Sequence, residues 1–213
     1  MSELEKDQKL AEVGDVGLPE DLARADLYGL IARLFLLPPD QGLLDQISAS
    51  ISEGEVGAVD APLAKLWDNL VELAKNNPAQ AWREEFDANF ISVGKPNVVL
   101  NASFYLAGHL NEKPLVEIRK SLESYGLEAA ESITETEDHI AALCEVMRYL
   151  IAGDDVEISN LTNQRSFFNS HIRPWYDELC DAIESIPDMH LYHSVAALTR
   201  EFMAIECQSF DMI

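Results

Sequence analysis

The stretch Glu135-Thr136-Glu137-Asp138-His139 stands directly before an apolar run, Ile140 to Ile151, whose hydrophobic residues recur at helical spacing. Acidic side chains in a first turn stabilise the positive end of a helix dipole, and the hydroxyl of Thr134 or Thr136 can cap the backbone there. The pattern therefore predicts a helix that begins at this cluster and ends at Gly153. Capping explains the carboxylates and leaves His139 unexplained, because a charged ring meets the unfavourable end of the dipole.

The same helical periodicity runs through the rest of the chain, with Pro and Gly marking the boundaries. The short run Val98-Val99-Leu100 has no pairing partner and is interpreted as an extended loop. We predict an all-α fold of about nine or ten helices in one globular domain, residues 18–213, after a flexible N-terminus, residues 1–17. The predicted helices cover about 19–37, 43–51, 62–76, 79–90, 114–125, 140–152, a segment ending near 171, 174–186 and 190–207.

Charge limits the partners that this chain can have. It carries 38 acidic and 15 basic residues, a formal net charge of -23. Nucleic acid and anionic membrane surfaces are therefore excluded as partners. Solubility alone would explain a global excess of acid equally well. The local excess is harder to explain in that way, since ten acids and a single base lie between residues 121 and 160. Such a patch attracts a positively charged peptide.

Location also follows from patterns that the sequence lacks. Residues Met1 to Glu20 contain no apolar core of a signal peptide, and no run of about 18 apolar residues occurs. We expect a cytoplasmic protein without membrane insertion.

No catalytic or metal-binding pattern is present. The three cysteines form no CxxC pair, and His190 and His193 lack a recognisable third ligand. Neither a GxSxG nucleophile motif nor a phosphate-binding loop occurs. We predict that the chain is not an enzyme and binds no metal or cofactor.

A second motif, Gln164 to Trp175, joins two predicted helices through a tight corner. Its aromatic residues suit a core, and a histidine near a helix C-terminus is favourable when it is partly charged. We assign this motif a structural role, carried by Gln164, Phe168, His171, Pro174 and Trp175.

Three blocks of this sequence resemble the TorD/DmsD chaperone family, which is related more distantly to the NarJ chaperones. Leu100 to Tyr105 is similar to the family's Pro-x-x-Ser-x-Tyr segment through Ser103 and Tyr105. Glu135 to His139 resembles Glu-Pro-x-Asp-His, and Gln164 to Trp175 resembles the C-terminal signature. Leu100 and Thr136 each replace a proline of the family pattern.

The resemblance implies a cytoplasmic chaperone that binds the twin-arginine signal peptide of a molybdoenzyme precursor until the cofactor is inserted. It implies Glu135 and Asp138 as guanidinium acceptors, with His139, Ser103 and Tyr105 donating or accepting hydrogen bonds near the peptide. We therefore expect substitution of Asp138 or His139 to weaken peptide binding while the fold stays mostly intact.

Two questions stay open at this point. A NarJ-like assembly factor, which binds the mature part or the iron-sulfur subunit of a redox enzyme, is the alternative function. Flexible connections at 92–97 and 153–159 allow either a monomer or a domain-swapped dimer.

Overall fold

The computed structural model describes residues 19–50, 62–91, 94–110, 112–128 and 134–212. The predicted flexible N-terminus, the loop that the glycines and acids of 52–60 predict, and residues 92 and 93 of the predicted flexible connection at 92–97 lie outside these ranges. The described part contains ten helices and no strand, which confirms the all-α prediction. They are α1 (Pro19–Leu36), α2 (Gln41–Ala49), α3 (Pro62–Asn76), α4 (Ala79–Phe90), α5 (Ala102–Ala107), α6 (Lys113–Ser124), α7 (Ile140–Ala152), α8 (Leu161–His171), α9 (Tyr176–Glu184) and α10 (Leu191–Asp211).

Most helix boundaries follow the local signals. Helix α1 begins at Pro19 with acids in its first turn, as the fixed φ of proline and the helix dipole favour. Helix α2 begins two residues earlier than predicted, because the Asp40 side chain caps it by accepting a 2.8 Å hydrogen bond from the Leu43 N–H. Gly126, at a φ of 67°, follows the end of α6 in the left-handed conformation that glycine favours.

Three departures have physical reasons. Helix α5 was not predicted, since six residues are too few to show a periodicity. Helix α9 begins at Tyr176 rather than at Pro174, because the turn after α8 continues through Trp175. Helix α10 runs to Asp211, where Phe210 still packs in the core.

The packing of α1 against α7 is the most extensive of any helix pair in the described part. Tyr28, Ile31 and Leu34 of α1 and Cys144 and Met147 of α7 are all fully buried there. Gly29 allows part of this approach, because an added Cβ would lie 3.1 Å from the Arg148 side chain. The buried apolar side chains form one connected cluster, whose removal from water is the main stabilising contribution.

Two polar contacts between distant segments fix α10. The Glu85 carboxylate, from α4, accepts hydrogen bonds of 2.7–3.1 Å from the backbone N–H groups of His190, Leu191 and Tyr192. It therefore caps the start of α10, which no local side chain does. Near the other end, the buried Glu206 carboxylate accepts two 2.8 Å hydrogen bonds from Arg24 and one from the Tyr28 hydroxyl, which ties α10 to α1.

None of the described helices is long and apolar enough to cross a membrane.

Candidate peptide-binding groove

A groove of about 470 Å³ lies between α1, α6 and α7. Its apolar lining residues are buried or half-buried, apart from Tyr149 at 37% exposure. They are Ala32, Leu36, Leu122, Leu127, Ala141, Ala142, Val146 and Tyr149. The other described lining residues include four glutamates, Glu128, Glu135, Glu137 and Glu145, and one arginine, Arg33. Three of these glutamates are exposed, so an apolar interior is bordered by carboxylates at the surface.

Two glutamates of the groove already hold a cation: Glu145 pairs with Arg148 at 3.2 Å, and the second is Glu137. The Arg119 guanidinium donates to both of its carboxylate oxygens, Nε to Oε1 at 3.0 Å and Nη2 to Oε2 at 2.9 Å. These hydrogen bonds lower the pKa of Glu137 and keep it ionised. A second depression of about 500 Å³ contains Arg119 and shares Leu122, Leu127, Glu128 and Glu137 with the groove. Glu137 thus stands in the wall common to both.

Asp138, the next residue, turns inward and is fully buried. Its Oδ1 accepts hydrogen bonds from the Thr136 hydroxyl at 2.5 Å and the Asn101 amide at 3.1 Å, and its Oδ2 accepts one from the Ser103 N–H at 3.0 Å. Burial alone would raise the pKa of Asp138, but the hydrogen bonds from Ser103, Thr136 and Asn101 hold it below its usual value. This placement favours a scaffold role, because the carboxylate faces protein donors and not the groove.

Backbone hydrogen bonds also join the chain around Asp138 to the segment from Leu100 to Ala102. The Asp138 carbonyl accepts a 2.9 Å hydrogen bond from the Ala102 N–H, and the Leu100 carbonyl accepts one from the Ile140 N–H. Asn101 and His139 thereby form a single antiparallel bridge. The extended loop at 98–100 is thus held against the start of α7.

His139 is the N-cap of α7, in place of the threonine that the sequence suggested. Its Nδ1 accepts a 3.1 Å hydrogen bond from the Ala141 N–H. Burial lowers the pKa of His139 to about 4, against the opposing effect of Asp138. The ring is therefore neutral at physiological pH, and a neutral ring avoids the repulsion from the helix dipole that a charged histidine would meet there. His139 also lines the groove.

Ser103 and Tyr105 belong to α5, and neither residue lines the groove. Ser103 is fully buried at the start of α5. The Tyr105 hydroxyl donates to the Val99 carbonyl at 2.7 Å, and its ring stacks on Trp175 with 5.3 Å between the centroids. Tyr105 thus connects the first block of the resemblance to the third.

The third block is built into the core. Phe168 and Trp175 are fully buried, and Gln164 bridges α8 to the Leu150 carbonyl at 3.0 Å and to Arg24 at 3.3 Å. Burial lowers the pKa of His171 to about 4, so its ring is neutral rather than partly charged, and its Nε2 lies 2.8 Å from the Ser121 hydroxyl. Pro174 is exposed at the corner.

Of the five predicted binding residues, Glu135 and His139 line the groove, Asp138 and Ser103 are bonded to each other behind it, and Tyr105 packs on Trp175 outside it. Sequence reasoning did not single out Glu128, Glu137 or Glu145 as binding residues. The charge excess over residues 121–160 was the available signal, although it could not show which acids share a surface. Within the described ranges, no three His, Cys, Asp or Glu side chains come together as metal ligands would.

The fold matches that of a crystal structure described as a redox enzyme maturation protein, from Archaeoglobus fulgidus. The TM-score is 0.56 at 19% sequence identity, and the match covers 92% of this chain and 98% of the other. The two chains therefore share one all-helical fold. The Nitrate reductase delta subunit family matches residues 57–181, more than half of the chain, and the chain belongs to this family.

Curated relatives extend the match to most of the chain. The Chaperone protein TorD of Vibrio cholerae (strain ATCC 39541) is 25% identical over 202 residues, covering 88% of this chain and 92% of the relative. That of Vibrio parahaemolyticus is 24% identical over 162 residues, covering 72% and 75%. The predicted resemblance to TorD is confirmed. These relatives are named as chaperones, which agrees with the prediction that this chain is not an enzyme.

Proposed function

We propose that this protein is a cytoplasmic chaperone that binds the twin-arginine signal peptide of a molybdoenzyme precursor and holds the precursor until its cofactor is inserted. The groove between α1, α6 and α7 is the observation that carries the proposal. Family membership and the chaperone relatives support the general role, and the groove supports the choice of ligand.

The groove has the two properties that such a peptide needs. A signal peptide has a positively charged segment followed by an apolar segment of 7–15 residues. The apolar lining from α1, α6 and α7 would accept the apolar segment, and the exposed Glu128 and Glu135 would accept guanidinium groups. The volume of about 470 Å³ is in the range of small-molecule sites, which suits a few apolar side chains of such a segment.

The residue roles in this proposal differ from those that the sequence alone suggested. Glu135 stays a guanidinium acceptor, and Glu128 and Glu137 join it. His139 forms part of the wall while it caps α7. Asp138 positions Glu137 and His139 by holding the turn in which all three residues lie.

Calorimetry with a synthetic peptide of the client's signal sequence tests the proposal. We expect binding that weakens as salt is raised, because exposed charges on both sides are screened. Replacing both arginines by alanine should weaken binding by about tenfold or more, because the loss of one charge-assisted hydrogen bond costs about 1.5–3 kcal/mol. Equal affinity of the two peptides at all salt concentrations would refute arginine recognition.

Paired variants locate the binding surface. Glu135→Gln removes an exposed carboxylate of the groove and should weaken binding. Glu72→Gln removes an exposed carboxylate of α3 that does not line the groove and should leave the affinity unchanged. Equal effects of the two variants would show that only the net charge matters.

The second candidate function is that of an assembly factor that binds the mature part or the iron-sulfur subunit of a redox enzyme. The match to the Nitrate reductase delta subunit family favours it, since that match covers the groove helices α6 and α7. Competition decides between the two candidates. A client lacking its signal peptide should fail to displace the labelled signal peptide under our proposal, whereas under the alternative that client should itself bind and the labelled signal peptide should not.

The domain organisation and the oligomeric state stay proposals. We expect residues 18–213 to behave as one cooperative unit, either as a monomer or as a domain-swapped dimer. A denaturation curve with a single transition would support one unit. Ultracentrifugation at several concentrations distinguishes the two oligomeric states.

A further inference from the structure

The contact between Arg119 and Glu137 places an arginine of the chain itself at a carboxylate of the groove. Both oxygens of Glu137 are engaged, at 3.0 and 2.9 Å, in the bidentate geometry in which guanidinium groups bind carboxylates. Arg119 comes from α6, and Glu137 comes from the turn before α7, 18 residues later. The pair is therefore a tertiary contact and not a helical neighbour pair.

The two partners differ in exposure. The Arg119 side chain is 55% exposed, whereas that of Glu137 is 18% exposed. A long, exposed side chain can leave such a pair with little structural change, and solvent exposure keeps the contribution of the pair to stability modest even though its bidentate geometry makes it one of the stronger exposed pairs. The carboxylate stays fixed in the wall shared by the groove and the second depression.

We propose that Arg119 is an internal competitor: it occupies Glu137 in the free chaperone and gives way to an arginine of the client. This inference rests on the proposed function. The exchange keeps one guanidinium on Glu137 throughout and releases Arg119 to solvent. Glu137 is thus never left bare, and a passing cationic side chain has to displace a bidentate pair before it can bind there.

The exchange makes the free chaperone a weaker binder than its carboxylates alone would allow. Removing Arg119 should therefore tighten binding of a peptide with two arginines, by up to about fivefold, the factor expected from losing one exposed ion pair. A peptide with two alanines in place of the arginines does not use Glu137, so its affinity should show no such gain.

Lys120 provides the matched control, because it lies beside Arg119 on α6 and pairs with Glu117 rather than with a carboxylate of the groove. Arg119→Gln and Lys120→Gln remove the same charge from the same helix. We expect Arg119→Gln to exceed Lys120→Gln in affinity for the arginine peptide only. We also expect this difference to disappear when Glu137→Gln is added to both variants.

The outcomes separate the two proposals. If the unmodified protein does not distinguish the arginine peptide from the alanine peptide, arginine recognition itself fails. If it does distinguish them, while Arg119→Gln and Lys120→Gln bind the arginine peptide equally, the competitor role alone is overturned.

A second measurement follows Arg119 directly. The Nε–H of Arg119 donates to Glu137 in the free protein, so its NMR resonance should move toward that of a solvent-exposed arginine on saturation with the arginine peptide. The same resonance should stay in place with the alanine peptide. A resonance that does not move with either peptide, at saturation shown by other signals, would overturn the exchange.

Discussion

Replacing Asp138 by asparagine tests whether the buried carboxylate holds the scaffold or binds the client. The side chain is fully buried, and its two oxygens accept three hydrogen bonds, from Thr136, Asn101 and Ser103. Asparagine has the same shape but offers one acceptor oxygen and one NH₂ donor. In either orientation, the NH₂ group faces at least one N–H or O–H donor, so at least one hydrogen bond to a charged acceptor is lost inside the protein.

The expected cost follows from these contacts. A hydrogen bond to a charged group contributes about 1.5–3 kcal/mol, and a buried donor left without an acceptor costs about 1–3 kcal/mol. We expect Asp138→Asn to lower the free energy of unfolding by about 2–4 kcal/mol at pH 7, measured by urea denaturation. Glu135→Gln, an exposed neighbour with the same loss of charge, should leave the urea midpoint unchanged.

The pH dependence provides a further check. The pKa of Asp138 is lowered in the folded state, so its carboxylate stabilises the fold above the usual pKa of about 3.8 and loses that contribution as the pH falls below it. The stability difference between the unmodified protein and Asp138→Asn should therefore narrow below about pH 4. An unchanged urea midpoint at pH 7 together with weakened peptide binding would refute the scaffold role and restore direct binding by Asp138.

Three further perturbations address the rest of the fold. Glu85→Gln should destabilise the protein by about 1–2 kcal/mol in urea, because it weakens the cap of α10, whereas the adjacent, exposed Glu84→Gln should have little effect. Glu206→Gln should lower the melting temperature far more than Glu84→Gln, because it leaves the Arg24 guanidinium without its buried carboxylate partner. The pKa of His139 and of His171 falls from 6.5 to about 4 on folding. Between pH 6.5 and pH 4 the unfolded chain therefore binds more protons than the folded chain, and the free energy of unfolding should decline as the pH is lowered through this range. Replacing either histidine by glutamine should make that decline shallower. An unchanged dependence of stability on pH in both variants would contradict the lowered pKa of these histidines.

The sequence predicted helix boundaries well where residues within one or two turns determine them. Pro19 and Pro62 begin α1 and α3, and α4 has the predicted bounds, because proline and the apolar period act within one or two turns. The same reasoning could not find α5, whose residues are held by Asp138, 35 residues away from Ser103 in sequence. Nor could it find the cap of α10 by Glu85, since that carboxylate comes from another helix.

The candidate site was predicted only in part, for a related reason. The sequence shows that acids cluster before α7, but not which of them turn inward. Asp138 is buried because Asn101 and Ser103 donate hydrogen bonds to it from a distant segment. Glu135 is exposed because the chain turns between Glu135 and Asp138. Neither the burial nor the exposure follows from the order of residues alone. His139 was equally ambiguous, because a histidine can cap a helix only when it is neutral, and its burial makes it so.

The neighbouring carboxylates of Glu137 and Asp138 face opposite sides of one turn, and this division links the groove to the scaffold. Glu137 stands in the groove wall and holds Arg119, while Asp138 holds the segment from Asn101 to Ser103 behind it. Loosening the turn through Asp138 should therefore weaken peptide binding as well as stability, whereas Glu137→Gln should affect binding and leave stability nearly unchanged. A loss of affinity by itself cannot assign either residue to the binding surface. The pair of variants, compared in both assays, separates a carboxylate that contacts the client from one that positions the contact.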